Sequence, residues 1–125
     1  MTVNQISYEI RGAIFDVYNY FGPGLYESVY ESALMVELSE RGLNPSQQVA
    51  VEVGYKDQPL RLGFVADIVV NDVVMIEIKS VESLANVHHK QLLTYLKLTG
   101  MKLGILVNFN SDDISKSIFR KVNNL

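Results

Sequence analysis

The sequence predicts an α/β domain in which helices flank a mixed sheet. Two observations lead to this class. In three segments apolar residues recur every three or four positions, which is typical of the buried side of a helix, whereas other segments alternate or form short β-branched runs. The segment order is two helices, three strands, a helix and a strand. A strand meander followed by a helical crossover favours a mixed sheet covered by helices.

The first helix is predicted over Val3–Phe21, because its apolar positions are spaced by three or four, and it ends at the breaker Gly22-Pro23-Gly24. A second helix is predicted from about Tyr26 to Glu40. Its inner side is expected to carry Leu25, Val29, Ala33, Val36 and Leu38. A third helix fits about Asn86–Thr99, closed by Gly100.

The strands follow from alternation and from apolar runs. Val49, Val51, Val53 and Tyr55 alternate, and the segment Lys56–Pro59 reads as a turn. Two strands are predicted near Arg61–Val70 and Val73–Ser80, and a buried strand over Lys102–Phe109. The tail, Ser115–Val122, is compatible with an edge strand or a short helix, and the strand is preferred.

Composition limits the classes of function. With 125 residues, 48% of them apolar and 20% charged, the chain is expected to form a single domain over residues 1–125. A net charge of −3 disfavours a broad basic surface for nucleic acid, but it leaves room for an acidic site that takes up cations. No cysteine is present for a thiolate site. No apolar run is long enough for a membrane span, and the first residues do not resemble a secretory signal, so a cytoplasmic location is expected.

Three charged residues interrupt the apolar strands: Asp67, Glu77 and Lys79. Glu77 and Lys79 share one side of their strand, because side chains alternate in direction. A two-residue loop at Asn71-Asp72 would place Asp67 on the opposite, apolar side at a large cost. The sequence therefore predicts a three-residue loop, Asn71-Asp72-Val73, or a bulge, either of which brings Asp67 close to Glu77.

Judged on Asp67, Glu77 and Lys79 alone, two interpretations remain open. One is a cross-strand salt bridge in which Lys79 offsets Asp67 or Glu77. The other is a site for Mg²⁺ or Mn²⁺, which prefer oxygen ligands and one or two carboxylates. In that case the lysine would position an attacking water, and the metal would stabilise charge on a phosphate.

The pattern of Asp67 followed by Glu77-Ile78-Lys79 on successive strands resembles the PD-(D/E)XK nuclease superfamily. Gly24, Glu27 and Tyr30 also match the signature of the GxxExxY proteins within it. The resemblance extends over nearly the whole chain. It implies a restriction-endonuclease-like αβββαβ core and a phosphodiesterase, dependent on Mg²⁺ or Mn²⁺, that acts on DNA or RNA.

The resemblance also implies roles for individual residues. Asp67 and Glu77 would be the principal metal ligands, and the Ile78 carbonyl would complete the set. Lys79 would act on the attacking water, and Glu27 would be a further ligand of the metal or the water. Further residues are expected to contact substrate, namely Gln91, Tyr95 and Tyr30. Where relatives often carry a basic residue two positions before the aspartate, this chain has Val65, so a phosphate contact is missing.

Simpler interpretations compete with several of these roles. Glu27 also suits a helix N-terminus, where the macrodipole favours an acid. Gln91 and Tyr95 are four residues apart on a helix face that is equally compatible with solvent. The pair His88-His89 is interpreted as a polar helix start, because an oxygen-rich metal site does not need imidazole. For the whole protein the alternative is a nuclease-fold binding or assembly module with weak or no catalysis, and a homodimer is considered on analogy alone.

Overall fold

The computed structural model describes residues 1–125. The helices are α1 (Val3–Phe21), α2 (Glu27–Glu40) and α3 (Asn86–Thr99), and a 3₁₀ turn covers Ile114–Lys116. The strands are β1 (Pro45–Val51), β2 (Gly54–Tyr55), β3 (Gln58–Pro59), β4 (Phe64–Val70), β5 (Val74–Lys79), β6 (Leu103–Asn108) and β7 (Ile118–Val122). No helix combines the length and the apolarity needed to cross a bilayer.

Five strands form one mixed sheet in the order β1-β4-β5-β6-β7, and β2 and β3 form a separate hairpin. Strands β5 and β6 are parallel, and every other neighbouring pair is antiparallel. The parallel pair requires a crossover, which α3 supplies. The prediction of a mixed sheet with flanking helices is confirmed, and the tail of the chain is a strand, as preferred.

Local sequence explains where the helices begin and end. Thr2 and Gln5 form a reciprocal capping box at the start of α1. Gly100 closes α3 with a left-handed φ of 75°, a conformation that glycine adopts without strain. At the start of α3, Nδ1 of His88 accepts a hydrogen bond from the Ala85 N–H at 3.0 Å. The interpretation of His88 as part of a polar helix start is therefore confirmed.

The core lies on both sides of the sheet. Helices α1 and α2 cover the larger side, where Ile10, Ile14, Leu34 and Ile76 are fully buried. Helix α3 covers a smaller cluster that includes Met75, Leu92 and Leu106. Gly104 of β6 permits the close approach of α3, since a Cβ there would lie 2.9 Å from Cδ1 of Leu92.

The inner side of α2 differs from the prediction. The residues buried on this helix are Tyr30, Leu34 and Leu38, whereas Val29 and Val36 are 38% and 56% exposed. Leu38 was assigned correctly, but the stripe through Val29 and Val36 was wrong. Both sides of α2 are apolar, so spacing alone does not tell which of them faces the sheet.

Candidate metal and catalytic site

The loop between β4 and β5 sets the geometry of the site. Val70 pairs with Val74 and Ile68 with Ile76, so the loop comprises residues 71–73. This confirms the predicted three-residue connection. The same register brings Asp67 level with Glu77.

At Asp67, hydrogen bonds between backbone N–H groups and carboxylates replace the regular backbone ladder between β4 and β5. Oδ2 of Asp67 accepts a hydrogen bond from the Ile78 N–H at 2.8 Å, and Oε1 of Glu77 lies 3.4 Å from the Asp67 nitrogen. The alternation of β4 breaks here, because Ala66 packs with the cluster under α3 while Ile68 packs under α1 and α2. Strict alternation along a strand predicts that Ala66 and Ile68 share a side. That prediction is wrong, and the break lies at Asp67.

Glu77 is a buried acid beside a second acid. Only 5% of the residue is exposed. Burial, and after it the negative charge of Asp67, raise the pKa of Glu77 from 4.5 to about 8. Without a bound cation the Asp67–Glu77 pair therefore retains a proton at neutral pH.

Lys79 offsets this charge only partly. Its positive charge lowers the pKa of Glu77, but this effect is the smallest of those that shift that pKa. Both side-chain ion pairs of the molecule belong to Arg41, with Glu9 and Asp16. The cross-strand salt bridge that the sequence left open is therefore absent from the structure, and Lys79 lies half-buried beside the acids without pairing to either.

The donor set fits a hard divalent ion. Two carboxylates that no cation neutralises converge in a buried position, and Mg²⁺ or Mn²⁺ takes one or two carboxylates and completes its shell with water. The chain contains no cluster of three acids or histidines at metal-binding distance. Asp67 and Glu77 therefore offer two carboxylate ligands at most, and the rest of a metal shell would come from water. The Ile78 peptide lies between them in sequence and contacts Asp67 through its N–H.

Glu27 lies next to the site but is engaged elsewhere. Its Oε2 accepts a hydrogen bond from the Ser80 N–H at 3.0 Å, and Oγ of Ser80 donates to the Leu25 carbonyl at 2.6 Å. These bonds attach the start of α2 to the end of β5, one residue beyond Lys79. Glu27 therefore positions the strand that carries the catalytic candidates, and it does not form a cluster with the two acids.

Glu31 and Gln48 are residues near the site to which the sequence assigns no role. Nε2 of Gln48 donates to Oε1 of Glu31 at 2.7 Å. Burial raises the pKa of Glu31, the hydrogen bond from Gln48 lowers it, and the negative charge of Asp67 raises it further. The only signal in the sequence is that Glu31 follows Glu27 by four residues, one helical turn.

Gln48 has an unusual backbone conformation for its residue type. Its φ is 50°, in the left-handed region that side chains other than Asn, Asp and Gly seldom adopt. It lies between Gln47 and Val49, whose β4 partners are Ile68 and Ala66, so it stands opposite Asp67. Both strands are therefore irregular at the level of Asp67. Strained backbone of this kind is often found in functional sites.

Helix α3 contributes Tyr95 to the site. Its ring stacks on Phe64 with centroids 3.7 Å apart and an interplanar angle of 5°. Burial, and then the charges of Glu77 and Asp67, raise the pKa of Tyr95, so its hydroxyl is protonated at neutral pH. Gln91, one turn earlier, is exposed on the same helix.

Tyr30 does not reach the surface. Its hydroxyl donates to the Gly22 carbonyl at 2.6 Å and accepts from the Leu25 N–H at 3.2 Å, and its ring stacks on Phe109 at 4.4 Å. The residue has no exposed area. In this structure it holds the loop that leads into Glu27, and no surface of it is available to a substrate.

Replacing Tyr30 with phenylalanine is expected to lower the free energy of unfolding by about 1–3 kcal/mol, because the Gly22 carbonyl and the Leu25 N–H both lose their partner. Denaturant melts measure this. The control is Tyr26→Phe, since Tyr26 is 85% exposed, and it should stay within about 0.5 kcal/mol of wild type. Equal stability of the two variants would contradict the structural role of the Tyr30 hydroxyl.

Comparison with known proteins places this geometry in a family. A family model described as the PD-(D/E)XK nuclease superfamily matches residues 4–121. Among solved structures the chain resembles the one titled "Crystal structure of SSO0001", with a TM-score of 0.57 and 27% sequence identity over 78% of this chain. The chain spans 50% of that protein's length. No curated protein matches. The family match covers nearly all of the chain, including both acids and Lys79, and the chain therefore belongs to the PD-(D/E)XK nuclease superfamily.

Proposed function

We propose that the protein is a divalent-metal-dependent nuclease that acts on DNA or RNA, and that Asp67 and Glu77 hold a Mg²⁺ or Mn²⁺ ion. The observation that carries this proposal is the convergence of the buried Glu77 and the half-buried Asp67, neither of which forms an ion pair with a cationic side chain. A fold that needed these acids only for stability would pair them with a cation, because an uncompensated buried charge is costly. Within the superfamily we assign the chain to the GxxExxY proteins, on Gly24, Glu27 and Tyr30.

When bound, the ion would supply Lewis-acid stabilisation of the charge that builds on a phosphate. The residues of the chain have their own tasks. Lys79 orients the attacking water and offsets negative charge in the transition state. Tyr95, kept protonated by its raised pKa, donates a hydrogen bond to a substrate oxygen, and Gln91 contacts the substrate from the exposed side of the helix. Glu27 keeps the end of β5 in place through Ser80.

A substrate panel tests this proposal. Wild type is expected to cut single-stranded DNA, duplex DNA or RNA when Mg²⁺ or Mn²⁺ is present, and EDTA should stop the reaction. Lys79→Met should lose about 10²-fold or more of the rate, since it removes preorganised positive charge. The matched control is Lys102→Met, because Lys102 precedes β6 at the other end of the sheet. Absence of cleavage on every substrate, or equal losses in both variants, would contradict the proposal.

One observation favours a second candidate, a nuclease-fold assembly module. Phe21, Val29 and Val36 are 41%, 38% and 56% exposed, and with Ala33 they line a cavity on the outer side of α2. Exposed apolar surface of this kind marks interaction sites. If the protein is an assembly module, it forms a homodimer or binds another protein. Sedimentation of wild type beside Val36→Lys distinguishes these, because a homodimer formed through this surface should dissociate in the variant.

A further inference from the structure

A polar cavity of about 550 Å³ lies where β5 and β6 end and β7 begins. Its lining comes from the loop after β5, the start of α3, the end of β6 and the start of β7, and includes Glu82, His89, Asn108, Asn110, Asp112 and Phe119. Lys79 pairs in register with Asn108, so the cavity and the acids open at the same end of the sheet. Neighbouring strands are about 4.8 Å apart, so the end of the strand that carries Glu77 and Lys79 adjoins the cavity wall at Asn108.

The cavity is preformed by a buried amide. Oδ1 of Asn108 accepts hydrogen bonds from the N–H groups of Val81 at 3.1 Å and Asn110 at 3.2 Å, and its Nδ2 donates to the Val81 carbonyl at 2.9 Å. Asn108 is only 5% exposed. It therefore joins the loops that form two walls of the cavity. Tyr18 donates from its hydroxyl to the Ser111 carbonyl at 2.5 Å and fixes the wall after β6.

One wall is aromatic. Phe119 is half-buried, and the edge of His89 meets its ring with centroids 4.8 Å apart at 81°. Burial, followed by the positive charges of Lys121 and His88, lowers the pKa of His89, so the imidazole is neutral at pH 7 and can both donate and accept a hydrogen bond. An aromatic ring next to neutral polar groups suits the face and edge of a nucleobase.

The charges of the lining exclude one ligand class and favour another. Glu82 and Asp112 line the cavity and are exposed, whereas no lysine or arginine lines it, although Nζ of Lys121 lies 5.8 Å from the centre of the Phe119 ring. These acids repel a phosphate. They accept hydrogen bonds from an exocyclic amino group, as acidic side chains do from cytosine N4.

We propose, resting on the nuclease function above, that this cavity binds an unpaired nucleobase with an exocyclic amino group, next to the phosphate at Asp67 and Glu77. The substrate is therefore single-stranded, or opened, at the point of cleavage. The cavity selects cytosine over uracil or thymine, because only cytosine presents an amino group to Glu82 and Asp112.

Cytidine and uridine provide a matched test, since their bases differ in the amino and carbonyl groups at position 4 and neither carries a phosphate. The ¹⁵N-labelled full chain is titrated with each nucleoside in EDTA and followed by NMR. Cytidine is expected to shift the backbone resonances of Asn110, Ser111 and Phe119 and to bind roughly tenfold more tightly than uridine. Equal affinities, or no shifts at these residues, would overturn the proposal.

Two variants locate the preference. The double variant Glu82→Gln, Asp112→Asn should bind cytidine and uridine alike, and the control Glu40→Gln should keep the preference for cytidine. A preference that survives the double variant overturns the assignment.

Cleavage of oligonucleotides is measured separately. If cleavage depends on Asp67 but no nucleoside binds in the cavity, the base site is wrong and the nuclease proposal stands. If cytidine binds but no oligonucleotide is cleaved, the nuclease proposal is wrong and the base site stands.

Discussion

Replacing Asp67 with asparagine is expected to lower metal-dependent cleavage by about 10²–10³-fold or more, because the substitution removes a charged oxygen ligand from the centre that stabilises the transition state. The fold should persist. The asparagine carbonyl can still accept the hydrogen bond that the Ile78 N–H donates to Asp67. Steady-state cleavage rates together with a thermal melt measure the two effects separately.

The control for this substitution is Asp72→Asn. Asp72 lies exposed in the β4–β5 loop with a φ of 59°, a conformation that asparagine tolerates well. This variant changes the net charge by the same amount and should cleave like wild type. An Asp67→Asn variant that retains full activity would show that the pair is not the catalytic centre.

The second large effect is a loss of stability with rising pH in the metal-free chain. The pKa of Glu77 is about 8 in the folded state, against an ordinary value of 4.5 in the unfolded chain. Between these values the folded chain holds a proton that the unfolded chain has released, so the free energy of unfolding falls as pH rises. The stability contribution is fully present below about pH 4.5 and is lost by about pH 8, at most several kcal/mol.

Denaturant unfolding in EDTA at pH 5 and pH 8 measures this slope. Glu77→Gln should flatten it and should be more stable than wild type at pH 8, because the buried charge is gone. Glu31, whose pKa is also raised, adds a slope of the same sign to both proteins, so the difference between them isolates Glu77. Glu40→Gln, an exposed substitution, should follow wild type. A Glu77→Gln slope as steep as that of wild type would contradict the raised pKa.

Sequence reasoning placed the two principal acids correctly because their register is strongly constrained. A charged side chain on the apolar side of β4 is so unfavourable that a three-residue loop or a bulge was required, and Val70 and Val74 pair across a loop of residues 71–73. The helix ends were predictable for a similar reason, since Gly22 and Gly100 adopt left-handed φ values at the ends of α1 and α3.

Other parts of the site depend on contacts that no local pattern encodes. Glu31 approaches Asp67 only because β1 pairs with β4 and Gln48 turns left-handed opposite Asp67. The hydroxyl of Tyr30 turns inward to a loop that the signature leaves unspecified. Glu27 matches a family signature, but its carboxylate holds Ser80, and sequence alone does not distinguish that contact from a ligand to metal.

Titration of Mn²⁺ into the metal-free protein at pH 7, followed by calorimetry in buffers of different ionisation enthalpy, tests the central claim most directly. Wild type is expected to bind the ion and release a proton, since Glu77 must deprotonate to become a ligand. Asp67→Asn should bind at least about tenfold more weakly. Binding that is unchanged in Asp67→Asn, or no binding to folded wild type, would contradict a metal centre at Asp67 and Glu77.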